Sequence, residues 1–222
     1  MNNLFKLAAI AVAFPLSVCG QGSFQNLDFE AGTLLPESLQ NPALALPAWT
    51  CNTSYVGYNT MVAGTVSILG SGGFGATAIE GNYSLFFQDL YPNLQPYPDG
   101  HTRQVDPSIS QTGLVPVDAL SLLFKAQPGQ ETLLLSLNGQ NIPFFAVGTG
   151  PNYTLFGGDV SAFAGQTSDL TFAVAPDPSN SQGWNIDSIV FSNQSVPEPS
   201  TFALLASAVG LFLSLRRHRV RI

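Results

Sequence analysis

The chain has 222 residues, of which 45% are hydrophobic and only 9% charged, and its formal net charge is −7. Between Gln21 and Ser195 stand thirteen acids against two basic residues, Arg103 and Lys125. So acidic a stretch repels phosphate backbones and anionic membrane surfaces, which excludes a nucleic-acid partner, and it can attract calcium.

The N-terminus opens with Lys6 and the 12-residue apolar stretch Leu7 to Val18, too short to span a bilayer. Residues 1–20 therefore form a signal peptide, with Val18 and Gly20 placed for cleavage between Gly20 and Gln21. Leu16-Ser17-Val18-Cys19 offers the alternative of a lipid on Cys19. After cleavage at Gly20 only Cys51 remains, so no intramolecular disulfide forms. Beside Trp49, Cys51 is expected to be a small buried residue.

The body, residues 21–195, is 175 residues long, enough for one domain with a core of its own. Period-two alternation marks Leu120, Leu122 and Phe124, then Leu133, Leu135 and Leu137, then Leu170, Phe172 and Val174 as strands. Shorter strands are expected at Phe24–Glu30, Pro47–Cys51, Thr65–Leu69, Tyr83–Gln88, Ser108–Leu114, Asn152–Phe156 and Trp184–Ser192. Turn signals such as Asn138-Gly139 and Gly157-Gly158 separate them. Only Asp159 to Ala164 looks like a helical turn, with Asp159 as its cap. Many short strands between Gly and Pro turns predict an all-β chain, a β-sandwich of jelly-roll type.

The segment from Gln88 to Pro107 is the candidate binding loop. It holds Tyr91, Asn93, Tyr97 and Arg103 among prolines, and a loop this long in a compact domain is usually functional or disordered. Flat rings stack on sugar faces, while amides and a guanidinium bond hydroxyls. The competing reading is that Tyr91 and Tyr97 close one end of the sandwich. Trp49, Tyr55 and Tyr58 form a second aromatic cluster, with Trp49 expected in the core.

Catalytic signatures are sparse. The body has one histidine, His101, and neither a His-Glu-x-x-His zinc helix nor a Gly-x-Ser-x-Gly elbow. Among the acids, Glu30 and Glu80 are the candidates for a glycoside-hydrolysing pair.

The last 27 residues have three parts: Val196-Pro197-Glu198-Pro199-Ser200-Thr201, the 14-residue apolar run from Phe202 to Leu215, and an end carrying Arg216, Arg217, Arg219 and Arg221. The two prolines hold residues 196–199 extended, in a form a protease can read. The run is short for a membrane helix, but counting from Pro199 it reaches the lower limit, and the arginines can snorkel to headgroups. They also place the basic end in the cytoplasm and the body outside. This tail resembles the PEP-CTERM sorting signal. The resemblance implies export, a precursor held in the inner membrane by residues 202–215, and processing by an exosortase.

The two ends of the body carry a second resemblance. Asn26-Leu27-Asp28-Phe29-Glu30 opens it, and Trp184-Asn185-Ile186-Asp187-Ser188-Ile189 closes it. Both are similar to the end strands of galactose-binding-like jelly rolls, the fold of many carbohydrate-binding modules. The resemblance implies neighbouring first and last strands and a structural calcium at Glu30 and Asp187, whose hard oxygens suit that ion. The expected protein is thus a non-catalytic, polysaccharide-associated binding or structural protein of the cell surface or extracellular matrix. The alternative is a glycan-processing enzyme, a hydrolase or lyase, on the same fold.

Overall fold

The computed structural model describes residues 22–36, 38–60, 65–70, 77–88, 107–175 and 183–196. Among these residues the chain is all-β, with one four-residue helix and one 3₁₀ turn. The strands are β1 (Leu39–Gln40), β2 (Thr50–Cys51), β3 (Val56–Tyr58), β4 (Thr65–Gly70), β5 (Tyr83–Gln88), β6 (Ser108–Leu114) and β7 (Ser121–Gln127). They continue as β8 (Leu133–Leu137), β9 (Gln140–Asn141), β10 (Phe144–Thr149), β11 (Thr154–Asp159), β12 (Thr167–Val174) and β13 (Trp184–Ser192).

They form two open sheets. The first runs β1-β3-β4-β5-β13-β7-β11-β10 and the second β2-β6-β12-β8-β9. All pairs are antiparallel except β3 with β4. The inward residues of both sheets share one apolar core, because alternate side chains of each strand must leave water on the same face. Phe124 of β7 and Phe172 of β12 meet edge to face across it, 5.4 Å between ring centres. Phe144 and Phe156 pack on the same Phe124 ring at 5.2 and 5.6 Å. Such pairs add to the burial of the rings themselves.

Of the alternating strands, β8 and β12 lie where the sequence places them, whereas β7 starts at Ser121 and leaves Leu120 outside it and 40% exposed. Asn138 and Gly139 both have positive φ, 50° and 74°, and turn β8 back into β9, as an Asn-Gly hairpin does. The helical turn is the 3₁₀ segment Ser161–Phe163, whose cap is Val160 and not Asp159; Asp159 ends β11, and its Oδ1 accepts the Ser161 N–H at 2.8 Å. The short helix α1 (Pro42–Ala45) has Asn41 as its cap, accepting the Ala43 N–H, and a proline in its first turn.

One expected strand is absent. Phe24–Glu30 is irregular, with Asn26 and Phe29 at φ 50° and 60°. Local side-chain bonding displaces the ladder here. Asn26 Oδ1 accepts the Ala31 N–H, Asn26 Nδ2 donates to the Pro47 carbonyl, and the Trp49 indole N–H donates to the Asn26 carbonyl. Phe24, Leu27 and Phe29 still bury themselves, because the segment bends to aim all three at the core. The opening segment does neighbour the last strand: Ile189 N–H donates to the Leu27 carbonyl at 2.9 Å.

Candidate functional site

The closing strand β13 carries an irregularity after Asp187, where its register against β7 shifts before Val190. Ser188 takes φ 49° at this bulge. Bulges re-aim side chains, and here Asp187 and Ser188 both turn to the segment between β4 and β5. Asp187 Oδ2 accepts the Glu80 N–H at 2.9 Å, and Oδ1 accepts the Ser188 N–H at 2.6 Å. The Ser188 hydroxyl lies 2.9 Å from Glu80 Oε2, and the Lys125 ammonium pairs with that same oxygen. Lys125 also sits over the Tyr153 ring, 5.1 Å from its centre.

Glu30 grips the next residues of the same turn. Its Oε1 accepts the Asn82 and Tyr83 N–H groups at 2.6 and 2.9 Å, and its Oε2 accepts the Asn82 side-chain amide at 2.9 Å. Gly81 has φ +61°, and a Cβ there would stand 2.3 Å from Glu30 Oε1, so only glycine lets the turn close on the carboxylate. Glu30 and Asp187 are therefore brought to one turn, residues 79–83, and clamp it through N–H donors. Both carboxylates accept N–H donors of this turn, and Glu30 Oε2 and Asp187 Oδ2, with one donor each, keep a further lone pair. Among the described residues no group of three or more His, Cys, Asp or Glu is disposed to hold a metal ion.

Burial sets the electrostatics. Asp187 is 1% exposed, and desolvation pushes its carboxyl up to about 7 against the donors that favour its charge. Glu80 is lowered, chiefly by its hydrogen bond from Lys125 and then by that from Ser188. Two carboxyls pushed in opposite directions form the pattern of an acid–base pair. Here the group with the raised value is sealed from any substrate, so the pair holds the turn. Burial also pushes the Cys51 thiol up to about 12, which keeps it protonated and inert.

Because the folded state holds the Asp187 proton more tightly than the unfolded chain, whose ordinary value is 3.8, the charge it must carry at higher pH opposes folding. Stability from this group is full below about pH 4 and falls as pH rises through 7, by at most roughly 4 kcal/mol. Asp187→Asn should flatten that slope, read as melting temperature against pH in the two proteins. Parallel slopes would show that Asp187 is already ionised in the folded state. The same melts with excess chelator separate clamp from ion: the clamp predicts no change, and a drop of several degrees would place calcium at Glu30 and Asp187.

The other expected sites lie differently. Tyr91, Asn93, Tyr97 and Arg103 lie outside the described residues, as do Pro197, Glu198, Pro199, Ser200, Thr201 and the apolar run 202–215. Among the described residues no helix is long and apolar enough to cross a membrane. Trp49 is in the core, 5% exposed, its ring 5.9 Å from Phe29. Tyr58 is half-buried and meets Tyr83 edge to face. The ends of the candidate loop are described. Phe87 pairs with Trp184 in the first sheet, and Ser108 pairs with Ala173 in the second. The described residues that flank 89–106 and 176–182 are thus paired with one another. Ser67, Phe86 and Asn185 lie in one cross-strand row on the outer face of the first sheet. Among the described residues, Ser67 Oγ, Ser84 Oγ and Asn185 Oδ1 are buried there without a hydrogen-bond partner, a state that buried polar atoms rarely keep.

The residues that sequence reading passed over in a binding role are Ser188, Lys125 and Asn82. The Glu80-Gly81-Asn82 turn was a usable signal. The bulge at Ser188 had none.

Residues 195–219 match the family described as PEP-CTERM protein-sorting motif. The motif marks an exported protein that an exosortase processes. Comparison with curated proteins gives no match. Among solved structures, the enzymatically active domain of tailspike protein 4 of bacteriophage CBA120 is similar at 14% identity and a TM-score of 0.42. The similarity covers 78% of this chain and 21% of the tailspike chain, so this chain spans about a fifth of that protein's length. No catalytic family is identified.

Proposed function

We propose that the chain is an exported precursor in three parts: a signal peptide over residues 1–20, a two-sheet body over 21–195 of jelly-roll type, and a sorting tail over 196–222. The tail holds the precursor in the inner membrane through residues 202–215 until exosortase acts near Pro197 to Thr201. The body then works at the cell surface or in the extracellular matrix as a non-catalytic polysaccharide-binding or structural protein. The sorting match over residues 195–219 carries this reading. The sequence of residues 89–106 supports the glycan part, since it holds two tyrosines, Asn93 and Arg103 among prolines. Hydroxyl-rich ligands meet rings and amides of this kind.

The test is Tyr91→Ala and Tyr97→Ala. If the tyrosines contact glycan, each variant should lose retention on polysaccharide while stability shifts by less than about 1 kcal/mol. If each ring closes the end of the sandwich, truncation should cost about 3–5 kcal/mol, and the glycan site must be sought elsewhere, first near Tyr55 and Tyr58. The alternative, a glycan-processing enzyme, requires turnover in an activity screen on polysaccharides. Glu30, one of its candidate carboxylates, is occupied in the turn clamp.

A further inference from the structure

After β13 ends at Ser192, the chain returns to the outer face of the first sheet. The Ser121 hydroxyl donates to the Gln194 carbonyl at 2.8 Å, and the Gln194 N–H donates to the Ser192 hydroxyl at 3.0 Å. Gln194 and Ser195 are exposed, but Val196 is half-buried again. Its side chain drops into a notch over Gly157 of β11. A Cβ on Gly157 would stand 2.9 Å from Val196 Cγ2, 2.8 Å from Leu123 Cδ2 and 3.5 Å from Val147 Cγ1. Leu123 points outward from β7 and is nonetheless only 7% exposed. Gly157 is thus the gap between Leu123 and Val147 that Val196 fills.

From this geometry we infer that the Gly157 notch is a clamp on the sorting motif, and that release of Val196 controls how readily the motif is processed. The inference rests on the exosortase reading above. The matched motif begins at Ser195, so its first two residues belong to the folded body. With Val196 seated, five residues, 197–201, separate the body from the apolar run. Fully extended they span at most about 17 Å. With Val196 released, the free chain starts after Ser192 and nine residues span about 30 Å. A membrane protease must lay an extended stretch of substrate into its groove, and a folded body held within a few residues of the membrane obstructs it. The clamp therefore restrains processing, and opening it lengthens the free chain that carries Pro197, Glu198 and Pro199.

Val196 belongs to the motif itself, so the test works from the body side. Gly157→Ala fills the notch. The atoms it meets are side-chain ends, and the strand-end Val196 is the one free to leave. Ser121→Ala removes the hydroxyl bound to Gln194. Full-length precursor in detergent is treated with proteinase K, and maturation is followed in parallel in cells that contain exosortase. Both variants should raise proteinase K cleavage within residues 193–201 by about fivefold, the change expected when one half-buried apolar contact or one hydrogen bond is lost and cleavage follows the open population. Maturation should speed up in the same direction, with the melting temperature of the body little changed. Unchanged proteinase K cleavage in both variants would overturn the clamp. Faster cleavage with unchanged maturation would overturn its control of processing. Absence of maturation in the wild type would instead sink the sorting reading, and the proteinase arm would then judge the clamp alone.

Discussion

Phe124→Ala should lower the stability of the body by about 3–5 kcal/mol, the largest loss expected from any single truncation in it. Phe124 is fully buried and is the shared partner of three rings, Phe144 and Phe156 in its own sheet and Phe172 in the other. Truncation leaves a cavity where the two sheets meet, and the neighbouring rings are held by their own strands and cannot collapse into it. For a domain of this size such a loss corresponds to a fall in melting temperature of roughly 10 °C. Leu134→Ala is the matched control. Leu134 lies on β8 between two core leucines but points outward and is 40% exposed, so its loss should stay within about 0.5 kcal/mol. Equal effects of the two substitutions, measured by denaturant melts, would mean that the faces of the sheets are assigned wrongly.

Glu198→Ala should slow maturation about tenfold or more. Glu198 is the one charged residue between Lys125-bearing β7 and the terminal arginines that lies in the Pro-Glu-Pro stretch, where both neighbours lack an N–H to offer an enzyme. The Glu198 carboxylate is the charged group this stretch offers to an enzyme. Losing one hydrogen bond to a charged group weakens binding by about 1.5–3 kcal/mol, which is tenfold or more. The assay is the ratio of precursor to mature protein over time in exosortase-containing cells, with Ser195→Ala as a neighbouring control. A maturation rate equal to the wild type would remove Glu198 from recognition.

The sequence made some of this legible and hid the rest for physical reasons. Strands with one wet face were visible because alternation is all that burial on one side requires: β8 and β12 read directly from Leu133, Leu135, Leu137 and from Leu170, Phe172, Val174. The β4 and β5 strands were found as apolar runs, since both of their faces are buried and alternation is lost. β1 and β9, each of two residues, carry too few positions for a period to show, and β10 reads as Phe144-Phe145-Ala146-Val147 with no polar beat. The opening segment was misread because Phe24, Leu27 and Phe29 mimic a strand, whereas Asn26 and its side-chain bonds set a bent path. At the candidate site, Glu30 and Asp187 both reach the turn at residues 79–83. Their partners are backbone N–H groups of a turn, which no side-chain motif announces. The sorting motif was legible because its signal is linear: two prolines and an acid, an apolar run and a basic end need no tertiary context. The notch at Gly157 was not, since it depends on three strands and a chain end meeting in space.

The intact mass of the mature protein tests the central reading most directly. Taken from cells with a functional exosortase, it should begin after the signal peptide and end within residues 197–201, lacking the apolar run and the four arginines. A mature protein whose mass still runs through to Ile222 would contradict the account.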